Sequence, residues 1–283
     1  MESILGDTSA WHEHLSGAAS IIKPTLRRTA DGRARSLLQS TVEGRWLLRN
    51  FAYHDILASV SLDTDLLIPG RYWMDEDTVL DTYFGLASLP VAMIAEVTAL
   101  RTQLRSTQQE GKLAEDIDPW SDFDAKVGQI EAQLLDWEPV GAHDHAIICL
   151  AQSYRSAALI YLYRTLRYYR RRPESMLIED MSTQVECAIQ FAEALPVAAL
   201  PECTLLFPLF LAGAETIIPR NIQNVRSRLS EMLAYRRFDN VRIALDVLEE
   251  LWDVKSRTNP VDWSRPYDWL DVLQRRGWKL ALS

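Results

Sequence analysis

The chain has 283 residues, of which 48% are hydrophobic and 24% are charged, and its net charge is −9. Such a composition is typical of a globular protein with a substantial core, and the acidity argues against direct nucleic-acid binding, which needs a basic face. The three cysteines (Cys149, Cys187 and Cys203) are widely spaced and exclude both a disulfide scaffold and a zinc cluster.

The first residues, MESILGDTSAWHEH, contain no basic stretch followed by an apolar core, so no secretory signal peptide is predicted. The uncharged apolar runs are also too short to cross a bilayer. A protein that is neither secreted nor membrane-bound is therefore expected, and its location is predicted to be the nucleus or the cytoplasm.

Apolar residues recur at helical spacing along nearly the whole chain, and no segment has the alternation of a strand. An all-α protein of about ten helices is therefore predicted, as one domain over 1–283 with an irregular multi-helix arrangement. The polar segment 107–118 is predicted to be a mobile connection within it. The predicted helices, in chain order, are a first one that ends before Pro24, then 33–66, 88–106, 118–136, 144–170, 174–195, 201–215, 221–235, 240–253 and 266–276.

The predicted helix 33–66 has an apolar stripe and a histidine next to an aspartate. The stripe consists of Leu37, Leu38, Val42, Trp46, Leu47, Phe51, Ile56 and Val60. Neighbouring residues of a helix point about 100° apart, so His54 and Asp55 cannot form a catalytic dyad with each other. Each is predicted to be a polar group at the margin of the core with a partner from another helix. In the alternative, His54 lines an internal cavity and hydrogen-bonds a ligand.

Metal binding by the histidines is not predicted. No second histidine or cysteine lies three or four residues from His54. The two His-x-His pairs, His12/His14 and His143/His145, would face nearly opposite ways on a helix and could chelate a metal only in an extended segment. Asp144, between the second pair, is instead predicted to cap the helix that follows it.

Two charged clusters invite a functional interpretation. The acids Asp75, Glu76, Asp77 and Asp81 resemble the clusters that hold magnesium in all-helical terpene cyclases, but they also fit a loop that leads into a helix start. The arginines could contact a phosphate or an acidic partner, although a solvated helix end is the simpler interpretation; they are Arg164, Arg167, Arg170, Arg171 and Arg172. No Gly-rich phosphate loop, nucleophile elbow or HExxH motif occurs, so neither a cofactor nor a catalytic residue is predicted.

Five segments together resemble a known family. They are WHEHLSGA (11–18), FAYHDILASVSL (51–62), FPLFLAGAE (207–215), RRFDNVRIALDVLEELW (236–252) and DWLDVLQRRGWKLALS (268–283). In this order they resemble the regulatory, or middle homology, domain of fungal-specific zinc-cluster transcription factors, over essentially the whole chain. The six-cysteine zinc cluster that those factors use to bind DNA is missing from this sequence, so the chain itself is not expected to contact DNA.

The resemblance implies a nuclear helical module that binds a small apolar metabolite or a partner protein, either as a homo-oligomer or with full-length factors. Aromatic or amphipathic character on long helices suggests six residues for the ligand site: His54, Asp55, Trp73, Tyr154, Phe207 and Trp252. In the alternative, the same fold serves as an isomerase or cyclase of fungal secondary metabolism, with His54, Asp55 or a tyrosine as hydrogen-bond donor or base.

Overall fold

The computed structural model describes residues 10–28, 34–74, 84–109, 119–141, 144–257 and 267–283. These ranges contain ten α-helices, which confirms the predicted all-α fold class. The helices are α1 Ala10–Ile22, α2 Val42–Ser61, α3 Ser88–Gln109, α4 Pro119–Asp136, α5 His145–Tyr168, α6 Glu174–Ala194, α7 Leu206–Glu215, α8 Pro219–Arg236, α9 Asp239–Arg257 and α10 Trp269–Arg276.

Helix α5 lies at the centre of this arrangement and packs against α3, α4, α6 and α7. Its N-terminus is capped by Asp144, whose Oδ1 accepts a hydrogen bond from the Ala146 N–H at 2.8 Å, as predicted. Residues on all sides of α5 are buried, which is the pattern of a helix enclosed by other helices. The buried hydrophobic residues of the described ranges form one contiguous cluster around it.

The start of the predicted helix 33–66 is wrong, because the chain between α1 and α2 is not α-helical. Leu26–Arg28 and Ala34–Ser36 form strands β1 and β2 of a two-stranded antiparallel sheet, and Leu37–Ser40 forms a 3-10 turn. The prediction that the chain contains no strand is therefore also wrong, although each strand has only three residues. Helix α2 begins at Val42.

Side-chain hydrogen bonds to nearby backbone groups explain this difference. Ser36 Oγ accepts from the Leu38 N–H at 3.1 Å, and the Gln39 side chain accepts from the Ser36 N–H at 3.3 Å. Thr41 then caps α2 by accepting from the Gly44 N–H at 3.0 Å. Such bonds compete with helix formation and hold the backbone of the capping residues extended.

The first half of the predicted apolar stripe is exposed, except for Leu38, which packs against the core. Leu37 is 62% exposed, Val42 is 68% exposed and Trp46 is 48% exposed. The continuous buried face of α2 begins at Leu48 and includes Phe51. The N-terminal half of α2 therefore presents apolar side chains to solvent, while its C-terminal half lies in the core.

Two further helix starts differ from the prediction, and two other predictions stay untested. The chain at Leu200–Thr204 forms a 3-10 helix before α7, and α10 begins at Trp269 after the capping residue Asp268. Most of the predicted mobile connection 107–118 lies outside the described residues, so it stays a prediction, as does the single domain. None of the described helices combines the length and the apolar character that a membrane span requires.

The segment 278–283 follows α10 without regular structure and contacts α2 and α9. Leu280 is buried, and its carbonyl accepts a hydrogen bond from Ser61 Oγ at 2.8 Å. Asn240 of α9 donates to the Ser283 carbonyl at 3.2 Å. These contacts fix the segment along α2 and bring Ser283 next to the histidine of the FAYHD motif.

Candidate functional site

His54 and Asp55 make contacts on different flanks of α2 and do not form a dyad. His54 Nδ1 lies 2.6 Å from Ser283 Oγ. The Asp55 carboxylate accepts from the backbone N–H groups of Leu67 and Ile68, at 2.9 and 3.0 Å. Both residues are thus polar groups with distant partners, but these partners lie in non-helical segments and not in another helix.

The Asp55 carboxylate anchors the segment that follows α2. Burial raises the pKa of Asp55 to about 6, although the N–H groups of Ile68 and Leu67 act in the opposite direction. Both carboxylate oxygens are engaged by backbone donors, so the side chain holds the segment 62–74 against α2. Because both oxygens already accept hydrogen bonds, Asp55 is poorly placed to act as a base.

His54 is held in its neutral form. Burial lowers its pKa to about 4, so the imidazole is uncharged near neutral pH. The ring also packs edge-on against Tyr53, with 5.4 Å between the ring centroids. His54 therefore offers one neutral polar group at the edge of an aromatic region.

The variant His54→Gln is expected to lose part of the pH dependence of stability. The native pKa of about 4 lies below the ordinary value of 6.5, so protonation favours the unfolded chain as the pH falls through this window. The wild type should lose on the order of 2–3 kcal/mol from this group by pH 4. Asp55 acts in the opposite sense, because its raised pKa favours the native state as the pH falls from about 6 to 3.8.

Urea denaturation measures the free energy of unfolding at several pH values between 6.5 and 3.8. His54→Gln should gain stability relative to the wild type as the pH falls. Parallel curves for His54→Gln and the wild type would show that the native state does not hold His54 neutral.

Aromatic rings from four parts of the chain meet beside His54. The Tyr53 ring packs edge-on against Phe84 at 5.6 Å, and Phe84 lies 4.8 Å from Trp73. Tyr53 Oη is 3.2 Å from Tyr154 Oη, and the Tyr154 ring stacks on Phe207 at 6.0 Å. We call this set the Tyr53 cluster: Tyr53, His54, Trp73, Phe84, Tyr154 and Phe207.

The structure thus joins four of the six residues predicted for the ligand site and separates the other two. His54, Trp73, Tyr154 and Phe207 belong to the Tyr53 cluster, and Asp55 anchors the neighbouring segment. Trp252 lies elsewhere: its Nε1 donates to the Gly213 carbonyl at 2.8 Å and its ring contacts the Arg226 guanidinium. Sequence analysis missed Tyr53 and Phe84, although Tyr53 adjoins His54 in the family motif.

Tyr72 adds a polar group that sequence analysis also missed. Its side chain is 1% exposed, and its hydroxyl has no hydrogen-bond partner within the described residues. Burial raises the pKa of this phenol well above its ordinary value, and the charge of Asp55 has a smaller effect in the same direction. The hydroxyl therefore stays protonated. A buried hydroxyl of this kind, next to Trp73 in the chain, can donate to a bound molecule.

The described residues contain no group of three or more side chains suited to hold a metal ion. His145 Nε2 lies 3.4 Å from Cys149 Sγ within α5. His143, and the acids Asp75, Glu76, Asp77 and Asp81, lie outside the described residues.

Four of the five arginines near the end of α5 form ion pairs with other parts of the chain, so a solvated helix end is wrong for these four, whereas Arg170 is exposed. Glu215 of α7 accepts from Arg164 at 2.6 Å and from Arg167 at 2.7 Å. Arg172 pairs with Glu131 of α4 at 2.6 Å. The further pairs are Arg164–Asp268, Arg171–Asp124 and Arg172–Asp180. These arginines therefore link helices to one another.

The sequence of this helical chain was compared with known proteins. Residues 1–283 match the family model described as the fungal specific transcription factor domain. The chain belongs to this family. The resemblance inferred from the five segments is thereby confirmed.

One relative of this domain is the transcriptional regulatory protein C965.10 of Schizosaccharomyces pombe. It is 23% identical over 305 residues, which cover 99% of this chain and 52% of that protein. The chain therefore spans about half the length of the curated relative. No solved structure matches the chain.

Proposed function

We propose that this fungal transcription factor domain is a ligand-responsive domain that acts in the nucleus. In this proposal a small apolar molecule binds against the Tyr53 cluster and accepts a hydrogen bond from Tyr72. Binding changes how the domain contacts another copy of itself or a full-length factor, and DNA is bound by a different polypeptide segment. The net charge of −9 supports the assignment of DNA binding to a different segment, because DNA binding needs a basic face.

The observation that carries the proposal is the buried Tyr72 hydroxyl without a partner. Leaving a buried donor unpaired costs about 1–3 kcal/mol, and such groups in native proteins are rare enough to need an explanation. A ligand that accepts this hydrogen bond supplies one. The surroundings also fit, because ligand sites combine an apolar and aromatic lining with a few polar groups.

Two non-helical segments provide the means of response. Asp55 holds the segment 62–74, which carries Tyr72 and Trp73, through two backbone hydrogen bonds. Ser283, in the segment 278–283, contacts His54. Both segments are non-helical and lie against α2, and in this proposal a molecule that enters beside the Tyr53 cluster changes how they pack there.

A thermal-shift screen with organic fractions of a fungal culture tests this function. At saturating ligand the melting temperature of the wild type should rise by at least about 3 °C. Tyr72→Phe removes the unpaired buried donor, so the unliganded variant should melt at the wild-type temperature or above it, and it should lose most of the shift. The exposed tyrosine variant Tyr235→Phe should respond like the wild type. Equal shifts in Tyr72→Phe and the wild type, or no shift with any fraction, would contradict the proposal.

No observation on the described residues favours the isomerase or cyclase alternative. It would use His54, Asp55 or a tyrosine as donor or base; of these, Asp55 is engaged by two backbone donors and His54 contacts Ser283.

A further inference from the structure

Two arginines of α3 lie close together where α3 packs against the C-terminal half of α5. Arg101 is 8% exposed, and it donates through Nη1 to Tyr161 Oη of α5 at 3.0 Å. Its Nη2 lies 2.6 Å from Asp63 Oδ1. One turn further along α3, Arg105 donates to the Asp63 carbonyl at 3.2 Å and lies 3.4 Å from the same Oδ1. Two guanidinium groups therefore share one carboxylate.

Three hydrogen-bond donors at this place have no acceptor. The Nε atoms of Arg101 and Arg105 and the hydroxyl of Tyr169 are buried and have no hydrogen-bond partner within the described residues. The charges of both arginines act on the Tyr169 phenol, so the three groups lie near one another. A guanidinium only donates, so neither arginine can accept the Tyr169 proton. Because buried donors are rarely left unpaired, the group that is missing here is an acceptor.

The charge of these groups favours an acceptor that is an anion. Arg101 and Arg105 both form their ion pair with Asp63, which leaves a surplus of one positive charge. Burial raises the pKa of Tyr169, although the two arginines act in the opposite direction, so the phenol stays protonated and neutral. A single negative charge would therefore neutralise the surplus, and charge-assisted hydrogen bonds would satisfy the three donors.

Aromatic rings lie beside the donors on the side that reaches solvent. The Tyr169 ring packs edge-on against Phe123 of α4 at 5.9 Å and against Tyr168 at 4.9 Å. The Tyr168 ring also lies 5.9 Å from the Arg101 guanidinium carbon. Tyr168 is 72% exposed and the Arg105 side chain is 34% exposed, so a molecule can approach from this side. These rings offer an apolar contact to the body of that molecule.

We propose that this set of residues, which we call the Arg101 cluster, binds a small aromatic monocarboxylate. The members of the cluster are Asp63, Arg101, Arg105, Tyr168 and Tyr169. The carboxylate of the ligand accepts from the three unpaired donors, and its ring packs against Tyr168. This proposal does not depend on a ligand at the Tyr53 cluster, where the unpaired donor is a neutral phenol without an arginine.

The same features favour a carboxylate over a phosphate. A phosphate ester carries about two negative charges near neutral pH, which is more than the surplus of one positive charge at the Arg101 cluster. An uncompensated charge next to buried groups is costly. A carboxylate brings one charge, and its two oxygens have enough acceptor sites for the three donors.

Isothermal titration calorimetry of the full chain with sodium benzoate, at constant ionic strength, tests the proposal. We expect saturable binding with a Kd on the order of 0.1–1 mM, as is usual for so small a ligand. Tyr169→Phe keeps the ring and removes one donor, and Arg105→Gln removes one charge. Each of these variants should weaken binding at least about fivefold. Benzamide, which has the shape of benzoate without its charge, should bind at least about tenfold more weakly than benzoate.

A matched arginine variant separates local contacts from the effect of net charge. The Arg226 side chain of α8 is 37% exposed, close to the 34% of Arg105, so Arg226→Gln removes the same charge at similar exposure. It should alter the affinity within about twofold, and circular dichroism should show that all variants keep the wild-type fold.

Four results would overturn the proposal. They are no saturable binding by the wild type, equal losses in Arg105→Gln and Arg226→Gln, binding of benzamide as tight as that of benzoate, and binding of inorganic phosphate tighter than that of benzoate. A loss in Tyr72→Phe without a loss in Tyr169→Phe would place benzoate at the Tyr53 cluster, and it would overturn the proposal as well.

Discussion

Replacing Glu215 with glutamine is expected to lower the free energy of unfolding by about 3–5 kcal/mol. The Glu215 side chain is 2% exposed and accepts hydrogen bonds from Arg164 and Arg167 of α5. Lys255 of α9 lies close enough to act on it electrostatically and donates to the Ala214 carbonyl at 2.6 Å. Glutamine keeps the size of the side chain but leaves these buried cations without their shared counter-charge.

The pKa of Glu215 supports a large effect. Burial alone would raise the pKa, but Arg167, Arg164 and Lys255 together lower it far below the ordinary value for glutamate. A depressed native pKa means that the contribution is fully present above the ordinary pKa of glutamate and is lost as the pH falls below it. Glu215→Gln should therefore differ most from the wild type at neutral pH, and the difference should shrink in acid.

Urea denaturation followed by circular dichroism measures this loss. The matched control is Glu249→Gln, because Glu249 also pairs with an arginine, at 2.8 Å from Arg226 Nη2, but at the surface. An exposed pair of this kind contributes less than about 1 kcal/mol. Equal losses in Glu215→Gln and Glu249→Gln would show that burial of the α5–α7 ion pairs has no special role in stability.

The variant Trp269→Ala is expected to lose about 3–5 kcal/mol of stability, as large-to-small changes of buried aromatic residues do. Trp269 of α10 is 1% exposed, and its Nε1 donates to the Ser61 carbonyl at the end of α2 with a distance of 3.1 Å. The ring packs edge-on against Phe210 and lies 3.8 Å from the Arg164 guanidinium carbon. One side chain thus links α10, α2, α7 and α5.

Two further variants separate the contributions at this position. Trp269→Phe keeps most of the apolar area and loses the hydrogen bond to Ser61, so we expect a loss of about 1–3 kcal/mol. Trp46→Ala, at a half-exposed tryptophan of α2, should cost less than about 1 kcal/mol. A loss for Trp269→Ala no larger than that for Trp46→Ala would contradict the central position of Trp269.

The helices that sequence analysis located best are those whose ends carry local signals. Helix α5 was predicted at 144–170 and spans His145–Tyr168, because Asp144 is a strong cap in both sequence and structure. In the segment before α2 a helix was predicted wrongly, because leucine, arginine and glutamine favour a helix there. Ser36 and Thr41 override this preference by bonding to the backbone, a competition that composition and periodicity do not reveal.

The candidate site was predictable in part for a similar reason. The angle between neighbours on a helix is local geometry, so the separation of His54 from Asp55 followed from the sequence. Their partners did not, because Ser283 lies 229 positions from His54 in the chain, and no local pattern reports such a contact. The unpaired hydroxyl of Tyr72 was equally hidden, because it depends on which groups surround it after folding.

Native mass spectrometry of the domain purified from a fungal host tests the ligand-responsive function most directly. We predict that the folded wild-type domain has a mass that includes one bound small molecule, and that this molecule is released on unfolding. Tyr72→Phe should carry it at much lower occupancy, whereas Tyr235→Phe should carry it at the wild-type level. A wild-type domain with the mass of the polypeptide alone, or equal occupancy in Tyr72→Phe and the wild type, would contradict the account.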